Sequence, residues 1–184
     1  IFLVYETESA TFNNVTLYED SYSDIICLYG KDLNNTGNVS ITDCSFSEKH
    51  AFGTISIQYF GNVNIDNTVI DATTKVEYKG LNISNVKNFT VSNSKIHCYS
   101  CYFYDTDVNI INSVLVANDQ FDSDDSATIF SGSYGIELED SNLYAKYSYI
   151  TASGCIGGIY SQRNYFDNYL NSLEPGSNEY NVYF

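Results

Sequence analysis

Two thiols stand three residues apart in this sequence, Cys98 and Cys101, in Cys98-Tyr99-Ser100-Cys101. Two thiols at this spacing can supply half of a tetrahedral zinc site or cycle between dithiol and disulfide. Zinc needs a second such pair or a histidine motif, and neither is present. A thioredoxin-like redox role needs a βαβ context, which the pattern lacks. Buried thiols in core columns, or a disulfide in an oxidising compartment, remain open. The disulfide candidates are Cys27, Cys44, Cys98, Cys101 and Cys155, an odd number that leaves one thiol free or paired between chains. In the acidic run 119–125, Asp119, Asp122, Asp124 and Asp125 offer the oxygens a hard cation such as calcium prefers. The run lacks the glycine and terminal glutamate of an EF-hand and reads as a solvated loop. Arg163 is the single arginine, and His50 and His97 sit in surface or turn contexts. No phosphate loop or nucleophile elbow occurs. The expectation is therefore a protein without a catalytic set, cofactor or resident metal.

Five Asn-x-Ser/Thr triplets begin at Asn14, Asn34, Asn38, Asn82 and Asn88. A chain rich in Asn, Ser and Thr produces some by chance, but each is a possible N-glycan acceptor. Used as such, they place the protein in a eukaryotic secretory pathway, extracellular or at the cell surface.

The elements that position these groups repeat. The clearest copy is Asn62-Val63-Asn64-Ile65-Asp66-Asn67-Thr68-Val69-Ile70, with others starting at Asn14, Asn38, Asn88, Asp107 and Gly135. The steps between starts are 24, 24, 26, 19 and 28 residues. Counting each start as zero, positions one and three are apolar: Val15/Leu17, Val39/Ile41, Val63/Ile65, Phe89/Val91, Val108/Ile110 and Ile136/Leu138. Two residues apart, they face one side of a strand. Position five holds Glu19, Asp43, Asn67, Asn93, Asn112 and Asp140, position six is mostly small, and position eight is apolar again. The step from three to eight is odd, so the chain must bend between them. Asn and Asp tolerate the left-handed backbone such a bend needs. The expected unit is strand, two-residue corner, strand. A third strand is expected within 25–29, 54–59, 76–83, 101–104, 127–130 and 158–160. Asn14, Asn38 and Asn88 share the zero column and should face outward in a row. An antiparallel sandwich is the competing fold, but it has no need of aligned copies.

These columns resemble the right-handed parallel β-helix superfamily of pectate lyases and polygalacturonases. The resemblance implies an all-β solenoid of six to seven rungs of roughly 24 residues. It also implies a corner ladder at Asp43, Asn67, Asn93, Asn112 and Asp140. Gly157-Gly158-Ile159-Tyr160 is similar to the Gly-Gly-Ala-Ile element of polymorphic-membrane-protein-like surface repeats. The Gly-His-Gly and Arg-Ile-Lys elements of the hydrolases are missing. The pattern therefore carries fold further than function.

The chain has 184 residues, is 43% hydrophobic and carries a formal charge of −15. The charge argues against nucleic acid and anionic lipid as partners, and no apolar run is long enough to span a membrane. No basic N-region of a signal peptide is visible, so a mature product or a section of a longer chain is expected. The solenoid is assigned to 1–164, and 165–184 to a polar, aromatic tail or last partial rung. Eighteen tyrosines suit outward strand positions or contact with sugars and partners. The leading expectation is a secreted structural glycoprotein that self-associates into a filament or joins flanking solenoid segments, with calcium as a possible bridge. A carbohydrate-binding or adhesive module is the alternative. A pectin-active lyase or hydrolase is the third.

Overall fold

Alternating Val, Ile, Leu and Phe with Asn, Ser and Thr makes short strands with one dry and one wet face, and nearly all the regular structure is of this kind. The computed structural model describes residues 2–19, 25–31, 34–48, 55–72, 80–98, 100–118, 136–153, 159–162, 166–169 and 172–175. The strands are β1 (Phe2–Thr7), β2 (Ser9–Asn13), β3 (Thr16–Glu19), β4 (Ile26–Gly30), β5 (Asn38–Thr42) and β6 (Ser45–Glu48). Then follow β7 (Ile55–Asp66), β8 (Val69–Ala72), β9 (Leu81–Ser92), β10 (Lys95–Cys98), β11 (Cys101–Ile111) and β12 (Val114–Asn118). The last are β13 (Ile136–Glu139), β14 (Asn142–Lys146), β15 (Tyr149–Ser153), β16 (Ile159–Gln162), β17 (Phe166–Tyr169) and β18 (Ser172–Pro175).

The fold is all-β and its sheets are parallel, an arrangement compatible with a β-helix. One sheet follows the order β1-β4-β7-β9-β11-β13-β16, and a second runs from β18 through β15, β12, β10, β8 and β6 to β3. The long strands β7, β9 and β11 bend at Tyr59, Asn85 and Asp105, each with positive φ. The bend separates a leading half from a trailing half. Trailing halves pair with β5 and β14, and β5 in turn pairs with β2. Leading, trailing and third columns thus follow one another along the chain. Gly30 leaves room for the close approach of Tyr59, since a Cβ there would lie 1.8 Å from the Tyr59 carbonyl oxygen.

Inward residues from all three columns share one core. Ile57, Ile83 and Phe103 come from the leading column, Ile65, Val91 and Ile110 from the trailing one, and Phe46, Ile70 and Ile96 from the third. All are buried.

Two copies of the repeat fall in a different register from the sequence expectation. Ser9, not Asn14, stands opposite Asn38, and Leu17 pairs with Phe46 in the third column. Asn142, not Gly135, stands opposite Asp107, while Ile136 pairs with Cys101 in the leading column. The physical reason is that both corners use Asn or Asp in the left-handed region and both are followed by alternating strand. A corner before the third column therefore looks like the start of a trailing strand. The expected third strand at 127–130 lies outside the described residues.

At many corners the next residue is small, and where it carries a hydroxyl that group has a defined task; Val15, Phe60 and Val86 are exceptions. Between the trailing and third columns, the Thr68 N–H donates to Ser94 Oγ (3.0 Å), Ser94 N–H to Ser113 Oγ (3.1 Å) and Ser113 N–H to Ser148 Oγ (3.2 Å). Each hydroxyl in turn donates to the carbonyl two residues before it, at 2.8 Å for Thr68, 2.6 Å for Ser94, 2.7 Å for Ser113 and 2.8 Å for Ser148. Cys44 opens the column: its N–H donates to Thr68 Oγ1 at 3.2 Å. The other corner repeats the device, with Val86 N–H on Thr106 Oγ1 (3.4 Å) and Thr106 N–H on Ser141 Oγ (3.1 Å). An unpaired buried amide costs about 1–3 kcal/mol. A fully buried core aliphatic contributes about 1.5–3 kcal/mol. The small column therefore matters about as much per residue as the apolar ones.

Ser94→Ala leaves the Thr68 N–H buried without its acceptor. Urea denaturation should show a loss of about 1–3 kcal/mol with unchanged m-value. Ser40→Ala, on the outer face of β5, should stay within about 0.5 kcal/mol. Equal losses would contradict the assigned role.

Candidate functional site: a corner lined with amides

The trailing-to-third corner is built on residues held at positive φ: Asn14 (55°), Asp43 (55°), Asn67 (45°), Asn93 (49°), Asn112 (47°) and Tyr147 (53°). Asn and Asp pay little for this conformation, whereas tyrosine is strained in it. The N–H groups of Asn14, Asp43, Asn67, Asn93 and Asn112 each reach the carbonyl of the next repeat, as from Asn67 to Ser92 (3.1 Å) and from Asn112 to Lys146 (3.0 Å). The side chains link as well. Asn67 Nδ2 donates to Asp43 Oδ1 (2.6 Å), Asn93 Nδ2 to Asp66 Oδ1 (2.8 Å) and Asn112 Nδ2 to Asn93 Oδ1 (2.9 Å). Asp43, Asn67, Asn93 and Asn112 thus stand in one column. Asp140 does not join them. It occupies the leading-to-trailing corner with Tyr59, Asn85 and Asp105, because its copy is displaced in register. Asn14 and Tyr147 take the two ends instead.

The outward row expected at the start of the trailing strands is a second amide column, whose side chains are hydrogen-bonded to one another. Asn62 Nδ2 donates to Asn38 Oδ1 (2.8 Å), Asn88 Nδ2 to Asn62 Oδ1 (3.1 Å) and Asn142 Nδ2 to Asp107 Oδ1 (2.6 Å). The recurrence of Asn at this position was the available signal. Asn38 and Asn88 belong to this column, flanking Asn62, while Asn14 sits at the corner and Asn34 before β5. These four are exposed. Asn82 lies on the leading half of β9, half-buried, and its Oδ1 has no hydrogen-bond partner among the described residues.

Cys27, Cys44, Cys98 and Cys101 are buried. Cys98 Sγ and Cys101 Sγ lie 3.1 Å apart across the two-residue link between β10 and β11, longer than the ~2.05 Å of a disulfide bond. Burial, then the hydrogen bond with Cys98, pushes the Cys101 thiol well above its ordinary range. It is therefore a poor nucleophile at neutral pH. His97 Nδ1 is 3.5 Å from Asp71 Oδ1 on the outer face. Among the described residues no three His, Cys, Asp or Glu side chains converge as metal ligands, and no helix is long and apolar enough to cross a membrane. Cys155, His50, Arg163 and the run containing Asp119, Asp122, Asp124 and Asp125 lie outside the described residues.

An open groove of about 680 Å³ follows the corner across four successive repeats. Asn67, Asn93 and Asn112 line it together with Val69, Lys95 and Tyr147. Sequence reasoning missed it, since it depends on the angle at which two sheets meet. No protein-family model matches the chain, and no curated protein or solved structure matches it either.

Asp66 gives the corner a pH dependence. The Ser92 hydroxyl (2.6 Å to Oδ1) and then the Asn93 amide hold its carboxyl below the usual value of 3.8. A depressed carboxyl stabilises the fold above the unfolded-state pKa, and that contribution is lost as pH falls through the folded-state pKa. Stability measured from about pH 6 down to about pH 2 should therefore decline less steeply for Asp66→Asn than for the parent chain. Identical slopes would show that the carboxylate adds nothing.

Proposed function

We propose that the chain is a structural subunit. It is a right-handed parallel β-helix of the pectin-lyase-like type, with six to seven turns, stacking end to end into an extracellular or cell-surface filament. The visiting order of the three columns supports the solenoid. Right-handed crossovers are the near-universal choice between parallel strands.

The observation that carries the assembly is the exposed end at β1–β3. Among the described residues these strands pair on one side only. They display Leu3 (57% exposed), Tyr5 (61%) and Tyr18 (62%) beside the unpaired backbone. Such edges template further pairing. The opposite end offers β16, β17 and β18, last in the same three columns. A second copy can continue all three columns, and this heterologous contact does not close on itself. A flanking solenoid segment would cover the same edge in the same way.

N-linked glycans fit the exposed Asn14, Asn34, Asn38 and Asn88, and they motivate the secretory localisation. Calcium would bridge copies that each carry −15. The subunit is given no catalytic role.

Sedimentation velocity and negative-stain microscopy across protein concentration, with and without calcium, test the assembly. Growing rods are expected. Leu3→Lys should leave monomers with an unchanged thermal midpoint, because the side chain is mostly in water. Monomers at every concentration would overturn the filament. Intact mass before and after enzymatic glycan removal tests the compartment: a mass loss is expected, and none would remove the secretory assignment.

A further inference from the structure

We infer that the corner groove is a binding site for a neutral, hydroxyl-rich oligosaccharide lying along the stack. This site is separate from the exposed strand ends and does not rest on filament formation.

The first support is the hydrogen-bonding character of the wall. Every sugar hydroxyl both donates and accepts, so a sugar site needs both kinds of partner at close spacing. The amide column supplies them. Asn67 and Asn112 each use one N–H in the ladder and keep the other, and among the described residues their Oδ1 atoms accept no hydrogen bond. Asn93 is held from both sides, donating to Asp66 and accepting from Asn112. Neighbouring strands lie about 4.8 Å apart, so four repeats give a track of about 14 Å. The ladder fixes the amide planes in advance, so a ligand orders little that is not already ordered.

The second support is apolar surface placed beside those amides. Val69 is 45% exposed and Tyr147 is 53% exposed, both on the groove. Lys146 Nζ stands 5.2 Å from the Tyr147 ring centroid, which steadies the ring by a cation–π contact. A steadied tyrosine face is a platform for the C–H face of a sugar ring. Tyrosine is also a costly residue at φ 53°. Asparagine would suit the backbone there and lengthen the ladder.

The third support is charge. Lys95 is the single charged residue lining the groove, while the whole chain carries −15. That field opposes a polyanion, so the neutral class fits. A peptide strand fits less well, because the backbone groups along these columns are already spent in the sheets.

The test is a titration of the intact ¹⁵N-labelled chain with neutral hexasaccharides (cello-, xylo-, manno- and chito-oligomers) and a uronate oligomer of equal length. The side-chain amide signals of Asn67, Asn93 and Asn112 report directly. Saturable shifts of these signals with at least one neutral oligomer are expected. Binding should weaken about tenfold in Tyr147→Asn, whose thermal midpoint stays equal or rises, and remain within about twofold in Tyr147→Phe. Absence of saturable shifts with every neutral oligomer overturns the site. Tighter binding of the uronate oligomer overturns the neutral assignment. A Tyr147→Asn chain that folds and binds like the parent overturns the aromatic platform.

Discussion

A parallel sheet that turns a corner must do something with the amide at the turn, and here a buried hydroxyl takes it. The bonds from Thr68 to Ser94, Ser94 to Ser113 and Ser113 to Ser148 run along the inside of the corner. They replace ladder bonds that the bend removes. Without them the dry interior would hold orphaned N–H groups in every repeat. The apolar columns can only close around the core because these small residues let the backbone turn at no polar cost. Cys44 stands in the same column, and its Sγ lies 3.1 Å from the Thr42 carbonyl, so a thiol can imitate the hydroxyl.

The inside ladder and the outside amides are two faces of one corner. The left-handed residue directs its side chain to solvent, and the next residue directs its own inward. The chemistry of the outer face is thus a by-product of how the fold turns. It gives the described residues a regular, polar outer surface. The same regularity that makes the strand ends extendable makes the groove repetitive, and a repetitive ligand is the natural match for it.

Much of this was visible in the residues themselves. The alternation at Val63/Ile65 and Phe89/Val91 gave the strands, and Asn67, Asn93 and Asn112 marked the corner. The phase was not visible at Asn14 and Gly135. A short strand after an Asn looks alike at either corner, and only the pairing of Ser9 with Asn38 and of Asp107 with Asn142 distinguishes them. The hydroxyl column was seen as small residues, a property that packing alone explains equally well. Tyr147 is one of eighteen tyrosines in the sequence, and only the register puts it at the end of the amide column. The groove required the sheets to meet.

The amide columns also have a direction. Asn67, Asn93 and Asn112 donate toward the earlier repeat, and so do Asn62, Asn88 and Asn142. Aligned amide dipoles polarise one another along a chain of hydrogen bonds. Both columns therefore point the same way, with N–H groups leading toward β1–β3 and carbonyl oxygens trailing. The stacked strands therefore have a sense as well as an axis. Two copies meeting with like ends together would oppose these directions, while copies in the same sense would keep them aligned.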